Sequence, residues 1–317
     1  MKNKYIFTAL LLTVLTVVSA LTVHFSKGAA NQKEGLLIVT SFYPVYIAAI
    51  NVTDGIEGVQ VQCLSSPSAG CVHDHQLTTG DMVLLEQADV FIINGAGMET
   101  YLGAVKERFP ELTVVDTSKG TALLEAGEGH KHEEEHDAEE EEHIHNSHIW
   151  MSMENYCIQI GNIGNALIQM DSANQEKYEA NMHAYQNAVK ELLREGQKEL
   201  HEAAGQKFVS THEAFSYFAE NFQWEMVKTI NMDENTNLKA SELGQILTAV
   251  EEEQISYVFA EEIYGRSLSR ILEDETGCQT VLLDTLVTGS KEKDAYLMGM
   301  RNNIKALKEA LDHEKVR

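Results

Sequence analysis

Proline is scarce in this chain of 317 residues, which contains only three. None lies between residues 173 and 203, where apolar residues are spaced three and four apart, as on one face of an α-helix. We therefore expect one long helix of roughly 45 Å, at 1.5 Å per residue. Because flexible linkers are rich in glycine, serine and proline, this helix should join its neighbours rigidly. The apolar face comprises Tyr178, Met182, Tyr185, Val189 and Leu192.

Cysteine is almost as rare, since the chain has four of these residues. No two have the spacing of a CxxC motif, which argues against a zinc site built from cysteines. Cys63 and Cys71 bracket the short stretch LSSPSAG. In an exported protein they could form a disulfide that braces the residues after this loop. Two free thiols in a flexible loop are the other interpretation, and the sequence leaves both open.

Positive charge is also in short supply, with 24 lysines and arginines against 49 aspartates and glutamates, a formal net charge of −25. Nucleic-acid phosphates would be repelled by such a chain, so we expect no nucleic-acid partner. Between residues 130 and 148, eight carboxylates accompany one lysine. A segment of this composition cannot offset the entropy cost of ordering, so we expect disorder from about residue 126 to about residue 147.

The same acidic segment is rich in histidine. Neutral imidazoles bind zinc, and in a mobile segment they would capture it weakly and reversibly, which predicts an auxiliary metal-gathering loop. The alternative is a solvated insertion without a selected task. The histidines concerned are His130, His132, His136, His143 and His145.

Signatures of catalysis are absent from the sequence. The HE pair at His212 begins as a metalloprotease HExxH motif would, but Ser216 occupies the position of the second histidine. The stretch GAGMET resembles a dinucleotide-binding loop, yet Thr100 stands where the third glycine belongs. Gly95 and Gly97 are therefore expected to serve a tight strand-to-helix turn. We expect a protein that is not an enzyme.

The N-terminus has the pattern of an export signal. Lys2 and Lys4 precede an apolar stretch that runs to Val23. We therefore predict that residues 1–30 are a signal peptide or an uncleaved membrane anchor. No cysteine follows before Cys63, so a lipoprotein attachment site is absent. The protein is expected in the periplasm or at the cell surface.

Short apolar runs alternate with helical patterns on both sides of the long helix. Such alternation predicts mostly parallel sheets covered by helices. We predict an α/β protein of two lobes, each with a mostly parallel four-stranded sheet flanked by helices, joined by a rigid spine helix. The predicted boundaries are 36–171 for the first lobe, 172–204 for the spine and 205–317 for the second lobe. The predicted strands lie in GLLIVTSF, GVQVQCL, DVFIING and LTVVDTS, and in KFVSTHEAF, MVKTI, SYVFAEEI and CQTVLLDTL.

Four side chains that can bind a metal are expected where predicted strands end: His73, His148, His212 and Asp284. In open α/β sheets this edge is where ligands bind. Three imidazoles and one carboxylate form a four-coordinate set that suits zinc, with bonds of about 2.0–2.2 Å. Imidazolium cannot bind a metal, so we expect zinc binding to weaken below about pH 6.

Several stretches, in order along the chain, resemble the metal-specific solute-binding proteins of ABC transporters, and the zinc-binding branch is the most similar. They are CVHDHQLTTGDM, DVFIINGAGMETYL, HIWMSMEN, FVSTHEAFSYFAENF and TGCQTVLLDTL, and the resemblance extends from residue 36 to about residue 312. The resemblance implies two α/β lobes joined by a rigid helix, with one metal ion buried between them.

By motif, the resemblance places His73 and His148 in the first lobe and His212 and Asp284 in the second. His212 favours zinc, because manganese-binding relatives typically have a carboxylate there, and carboxylate oxygen suits manganese better. The implied function is high-affinity binding of Zn²⁺ outside the cytoplasm and its delivery to the membrane permease of an ABC importer. Zn²⁺ would be the transported ligand, and a monomer is expected.

The sequence departs from the family pattern around the first ligand. Val72 replaces the usual proline, and His75 replaces a common aromatic residue, so His75 is an alternative ligand to His73. Glu261 and Glu262 stand where relatives also have an acidic residue, and we expect them to cap a helix or support a ligand. A manganese-binding member of the family and an adhesin stabilised by zinc are the alternative functions.

Overall fold

Two four-stranded sheets form the frame of the protein in the computed structural model, which describes residues 35–64, 75–126, 145–229, 240–261 and 265–314. The strands of the first sheet are β1 (Leu36–Thr40), β2 (Val59–Cys63), β3 (Val90–Ile93) and β4 (Thr113–Asp116). Those of the second are β5 (Lys207–Ser210), β6 (Glu225–Thr229), β7 (Tyr257–Glu261) and β8 (Gln279–Leu283). We call the two sheets with their flanking helices the first and the second lobe.

The two sheets share one topology. Their strand orders are β2-β1-β3-β4 and β6-β5-β7-β8. Strand β3 pairs in parallel with β1 and β4, and β5 and β7 pair in parallel with each other and with their outer neighbours. The predicted fold class is therefore confirmed. Both sheets belong to one compact unit that begins at Leu37, so the lobe boundaries predicted at residues 171 and 204 stay predictions.

Helices connect and cover the strands. Pro44 lies in the first turn of α1, where a missing backbone N–H costs nothing. Thr78 caps α2: its Oγ1 accepts from the amide of Asp81 at 3.2 Å, and the Asp81 carboxylate accepts from the Thr78 amide at 2.7 Å. The helices are α1 (Tyr43–Val52), α2 (Thr79–Gln87), α3 (Leu102–Arg108), α4 (Met153–Met170), α5 (Gln175–Leu200), α6 (Phe215–Glu220), α7 (Ala240–Glu253), α8 (Gly265–Thr276) and α9 (Ala295–Glu314).

The long helix expected from the scarcity of proline is α5, which has 26 residues. Short 3₁₀ turns extend it at both ends, at Ser172–Asn174 and His201–Ala203. Its predicted apolar face is buried. Where α4 crosses α5, a Cβ on Gly164 would lie 2.5 Å from Sδ of Met182, so glycine permits the close approach of the two helices.

The glycine-rich GAGMET stretch forms a turn after β3, as predicted. Gly95 and Gly97 have φ angles of 80° and 83°, a region that favours glycine. A Cβ on Gly95 would collide with the Asp116 carboxylate at the end of β4. The turn therefore needs glycine for both its backbone conformation and its packing.

Several predictions fall on residues that the structure does not describe. Cys63 ends β2, but Cys71 lies outside the described residues, so the proposed disulfide stays a prediction. Residues 1–30 also lie outside them, and with them the predicted signal peptide or anchor. Among the helices that are described, none is both long and apolar enough to span a membrane.

Candidate metal centre

A short irregular segment carries His148 to the junction of the two lobes. We call residues 145–152 the His148 segment. It begins with an isolated antiparallel bridge between His145 and Glu125 and leads into a 3₁₀ turn at Ile149–Met151. His148 therefore does not follow a strand, contrary to the sequence-based expectation. The first lobe holds the segment through Asn94, whose Nδ2 donates to the Ser147 carbonyl at 2.9 Å.

The His148 ring is almost completely buried, with 1% of the residue exposed, and a neighbouring amide sets its tautomer. Asn146 Nδ2 donates to the Glu213 carbonyl and to Oγ of Ser216, both at 2.9 Å, which fixes Oδ1 as the atom facing the ring. His148 Nδ1 lies 2.8 Å from that oxygen and must therefore donate. The lone pair of the neutral ring is then on Nε2, where a metal could bind.

His212 enters from the second lobe, two residues after the end of β5. The Ser210 hydroxyl donates to the His212 carbonyl at 2.7 Å and accepts from the His212 amide at 3.2 Å, which closes a tight turn at the strand end. The imidazole lies beside the carboxyl end of a neighbouring strand. Its Nδ1 lies 3.7 Å from Oε1 of Glu261, the last residue of β7.

The two histidine rings are in contact across the lobes. Their centroids are 4.7 Å apart and their planes meet at 82°. Glu213, which is 2% exposed, places Oε1 3.7 Å from Nδ1 of His148. Two largely buried imidazoles with carboxylates beside them form an environment that favours a divalent cation.

Asp284 lies directly after β8, as the sequence predicted. The side chain of Asn303 in α9 makes two hydrogen bonds to the Asp284 backbone. Its Oδ1 accepts from the Asp284 amide at 2.9 Å, and its Nδ2 donates to the Asp284 carbonyl at 2.7 Å. One carboxylate oxygen, Oδ1, accepts from the Leu286 amide at 2.8 Å. The Asp284 charge also acts on Tyr43 of α1: burial, and then this charge, raise the pKa of the Tyr43 hydroxyl to about 12.

The structure thus brings His148 and His212 together and leaves the complete ligand set untested. Within the described residues, no three His, Cys, Asp or Glu side chains are grouped to hold one metal ion. The predicted ligand His73 lies outside these residues, so the set of His73, His148, His212 and Asp284 stays a prediction. Of the auxiliary histidines, His145 is described and exposed; the others, His130, His132, His136 and His143, lie outside the described residues.

His75, the alternative first ligand, lies against the start of α2. Its Nε2 is 3.4 Å from Oδ2 of Asp81, the carboxylate oxygen that accepts from the amide of Thr78, the cap of this helix. Its ring packs edge-on against Tyr101 at a centroid distance of 5.5 Å. These contacts place His75 at the N-terminus of α2, and because His73 lies outside the described residues, the choice between the two as ligand stays a prediction.

The acidic residues at this edge divide into one that was anticipated and one that was missed. Glu261 was expected in a supporting role, and it lies beside Nδ1 of His212; its neighbour Glu262 is outside the described residues. Glu213 was considered only as part of a broken protease motif. Its signal was its position directly after a candidate ligand at a strand end, which buries it next to His148.

A further buried carboxylate, Glu99, belongs to the turn after β3 that contacts the His148 segment. Glu99 accepts hydrogen bonds from the amides of Asn94 and Gly95, at 2.8 and 3.0 Å. Burial raises the pKa of Glu99 to about 7 although both hydrogen bonds stabilise its charged form. Asn94 in turn holds the Ser147 carbonyl, so Glu99 supports the segment from the first lobe.

Comparison with known proteins shows which family this chain belongs to. The chain is 27% identical over 293 residues to the high-affinity zinc uptake system protein ZnuA of Bacillus subtilis, covering 90% of this chain and 91% of that protein. It is 26% identical over 308 residues to the zinc-binding lipoprotein AdcA of Streptococcus pneumoniae, covering 94% of this chain but only 61% of AdcA.

A solved structure whose sequence identity to this chain is about the same shares its fold. The crystal structure of the metal-dependent lipoprotein YcdH from Bacillus subtilis superimposes with a TM-score of 0.71 at 26% identity, covering 86% of this chain and 98% of that one. The family model described as zinc-uptake complex component A, periplasmic, matches residues 38–310, which include both described histidines of the site and both sheets except the first two residues of β1. The chain therefore belongs to the zinc-uptake complex component A (ZnuA) family.

Proposed function

We propose that this protein binds Zn²⁺ as cargo outside the cytoplasm and delivers it to the membrane permease of an ABC importer. The buried contact between the rings of His148 and His212, one from each lobe, carries the proposal. Two neutral imidazoles 4.7 Å apart can converge on one cation, and zinc prefers such nitrogen ligands. Relatives named for zinc uptake and zinc binding support the same metal.

His73 and Asp284 complete the proposed coordination sphere. Asp284 follows β8 with its backbone fixed by Asn303, and its second carboxylate oxygen, Oδ2, is the atom we assign to the metal. Four protein ligands would leave no open position for a reactive water, which favours binding over catalysis. Glu213 and Glu261 would remain beside the imidazoles and balance the added positive charge.

The acidic histidine-rich segment is proposed to gather zinc weakly near the site. Glu125, directly before the segment, and His145, near its end, are joined by a backbone bridge. The bridge lies three residues before His148, so one end of the segment is close in sequence to a proposed ligand. Deleting residues 130–145 should lower the number of zinc ions bound and leave the tight site intact.

A competition titration tests the proposed cargo. Protein purified without added metal is loaded with Zn²⁺ and titrated with Mn²⁺, and bound metal is measured by mass spectrometry. We expect one tightly held zinc ion that Mn²⁺ does not displace at comparable concentration. Displacement would indicate the manganese-binding alternative. Two observations together would favour the adhesin: a strain that lacks the gene takes up zinc normally, and wild-type cells carry the protein on their surface.

A further inference from the structure

The His148 segment belongs to the first lobe in sequence, but much of its hydrogen bonding is with the second. The Tyr217 hydroxyl donates to the Asn146 carbonyl at 2.8 Å. Asn221 Nδ2 donates to the Met151 carbonyl at 3.0 Å, and Oδ1 of the same side chain accepts from the Met153 amide at 3.0 Å. His148 is therefore carried on backbone that α6 and the residue after it hold in place.

Trp150 connects the His148 segment to the residue after Asp284. Its ring lies 5.1 Å from the His148 ring, and the residue is completely buried. The indole Nε1 donates to the Thr285 carbonyl at 2.8 Å. Thr285 directly follows Asp284, so one side chain contacts one proposed ligand and is bonded to the neighbour of another.

Helix α9 is hydrogen-bonded both to Trp150 and to the backbone of Asp284. The Tyr296 hydroxyl donates to the Trp150 carbonyl at 2.8 Å. One face of α9 thus fixes Trp150 through Tyr296, and two turns later it fixes the backbone of Asp284 through Asn303. All of these bonds are buried or partly buried, where a lost partner leaves a polar group that water cannot reach.

We propose that Trp150 is a positioning residue for metal retention, which couples His148 to the Asp284 loop so that the two ligands leave the metal together. The proposal rests on the proposed zinc-binding function. Movement of the Asp284 loop would pull on the indole N–H···O bond and shift the ring that packs on His148. Without this bond the loop could move alone, and the metal would lose one ligand at a lower energetic cost.

The test measures how fast zinc is transferred from the full chain to an excess of a fluorescent chelator. Trp150→Phe keeps an aromatic ring but removes the N–H, and we expect dissociation to accelerate by roughly tenfold. Tyr296→Phe, which removes one hydroxyl, should act in the same direction and serves if Trp150→Phe does not fold. Trp224→Phe is the matched control, because that indole is 4% exposed and its Nε1 has no hydrogen-bond partner in the described part of the chain.

A double-mutant cycle separates coupling from a general loss of stability. In an Asp284→Asn background, Trp150→Phe should have much less effect on the dissociation rate than in the wild type, because the loop no longer holds the metal firmly. The proposal would be overturned if Trp150→Phe had an undiminished effect in the Asp284→Asn background. It would also be overturned if Trp150→Phe and Tyr296→Phe, each alone, both released zinc at a rate within twofold of wild type. If the wild type and Trp224→Phe bind no zinc, the proposed function itself is wrong.

Discussion

The two sheets have the same strand order, but the strand ends that the structure describes contribute differently at their carboxyl edges. In the first lobe, the side chains at the ends of β3 and β4 hydrogen-bond to backbone groups. Asn94, directly after β3, donates to the Ser147 carbonyl, and Asp116, the last residue of β4, accepts from the Ser118 amide at 2.9 Å. In the second lobe, β5, β7 and β8 end near His212, Glu261 and Asp284. Among the described residues, the first lobe contributes to the centre through His148, on a segment that is not a strand.

This difference shows that topology alone does not make a binding edge. The ends of β3 and β4 serve as scaffold, whereas those of β7 and β8 belong to the candidate metal centre. What joins them is the His148 segment, with bonds to Asn94 on one side and to α6 and α9 on the other. We therefore expect the largest effects from substitutions at the ligand-bearing edge of the second lobe, smaller effects from those in the His148 segment, and the smallest from those in the scaffold.

The largest effect is expected from the second-lobe edge. His212→Asp replaces an imidazole by a carboxylate, which suits manganese better than zinc. We expect zinc affinity to fall by roughly 100-fold or more and the preference for Zn²⁺ over Mn²⁺ to shrink. Isothermal titration with each metal measures both. His145→Asp, at an exposed position, is the control and should leave the tight site unchanged; equal loss in both variants would argue against His212 as a ligand.

The next effect tests how the segment orients its ligand. Asn146→Ala removes the oxygen that fixes the His148 tautomer, and we expect zinc affinity to fall by about 10- to 100-fold. Asn162→Ala is a matched control, because Asn162 Nδ2 donates to two carbonyls in the first lobe, at 2.8 and 2.9 Å. If the control lowers affinity as much, general destabilisation explains the result, and the orienting role of Asn146 is wrong.

The smallest effect concerns the scaffold and depends on pH. The pKa of Glu99 is raised by burial from 4.5 to about 7, so the folded protein holds this proton more tightly than the unfolded chain does. Its contribution to the free energy of unfolding therefore falls as pH rises from about 4.5 to about 7, and is constant above that. Glu99→Gln cannot titrate.

Urea unfolding of the metal-free proteins at pH 5 and pH 8 measures this difference. Between these two pH values, the stability of Glu99→Gln relative to wild type should shift by on the order of 2 kcal/mol in favour of the variant. Titrations common to both proteins cancel in the comparison. Parallel pH profiles would show that Glu99 is already ionised at pH 5 in the folded protein.

Much of the fold could be predicted because it follows from local patterns. The apolar runs of β3 and β7 are buried throughout, and the three- and four-residue spacing from Tyr178 to Leu192 forms the buried face of α5. The turn at Gly95 followed from residues that tolerate positive φ. These features depend on neighbours in sequence, which is why the sequence sufficed.

The candidate site was predicted less completely, because it depends on contacts between distant residues. His212 and Asp284 follow strands and could be located at an edge. The position of His148 depends on Asn146, Glu213 and Ser216, and no periodic pattern brings these residues together. The same holds for Trp150, whose bond to Thr285 spans 135 residues.

The location of the zinc ion tests the central claim most directly. Crystals of the zinc-loaded protein, measured on both sides of the zinc absorption edge, give an anomalous difference map. We predict one strong peak between the lobes, about 2.0–2.1 Å from Nε2 of His148 and from a ring nitrogen of His212. A tightly bound zinc ion whose peak lies away from both rings would contradict the account.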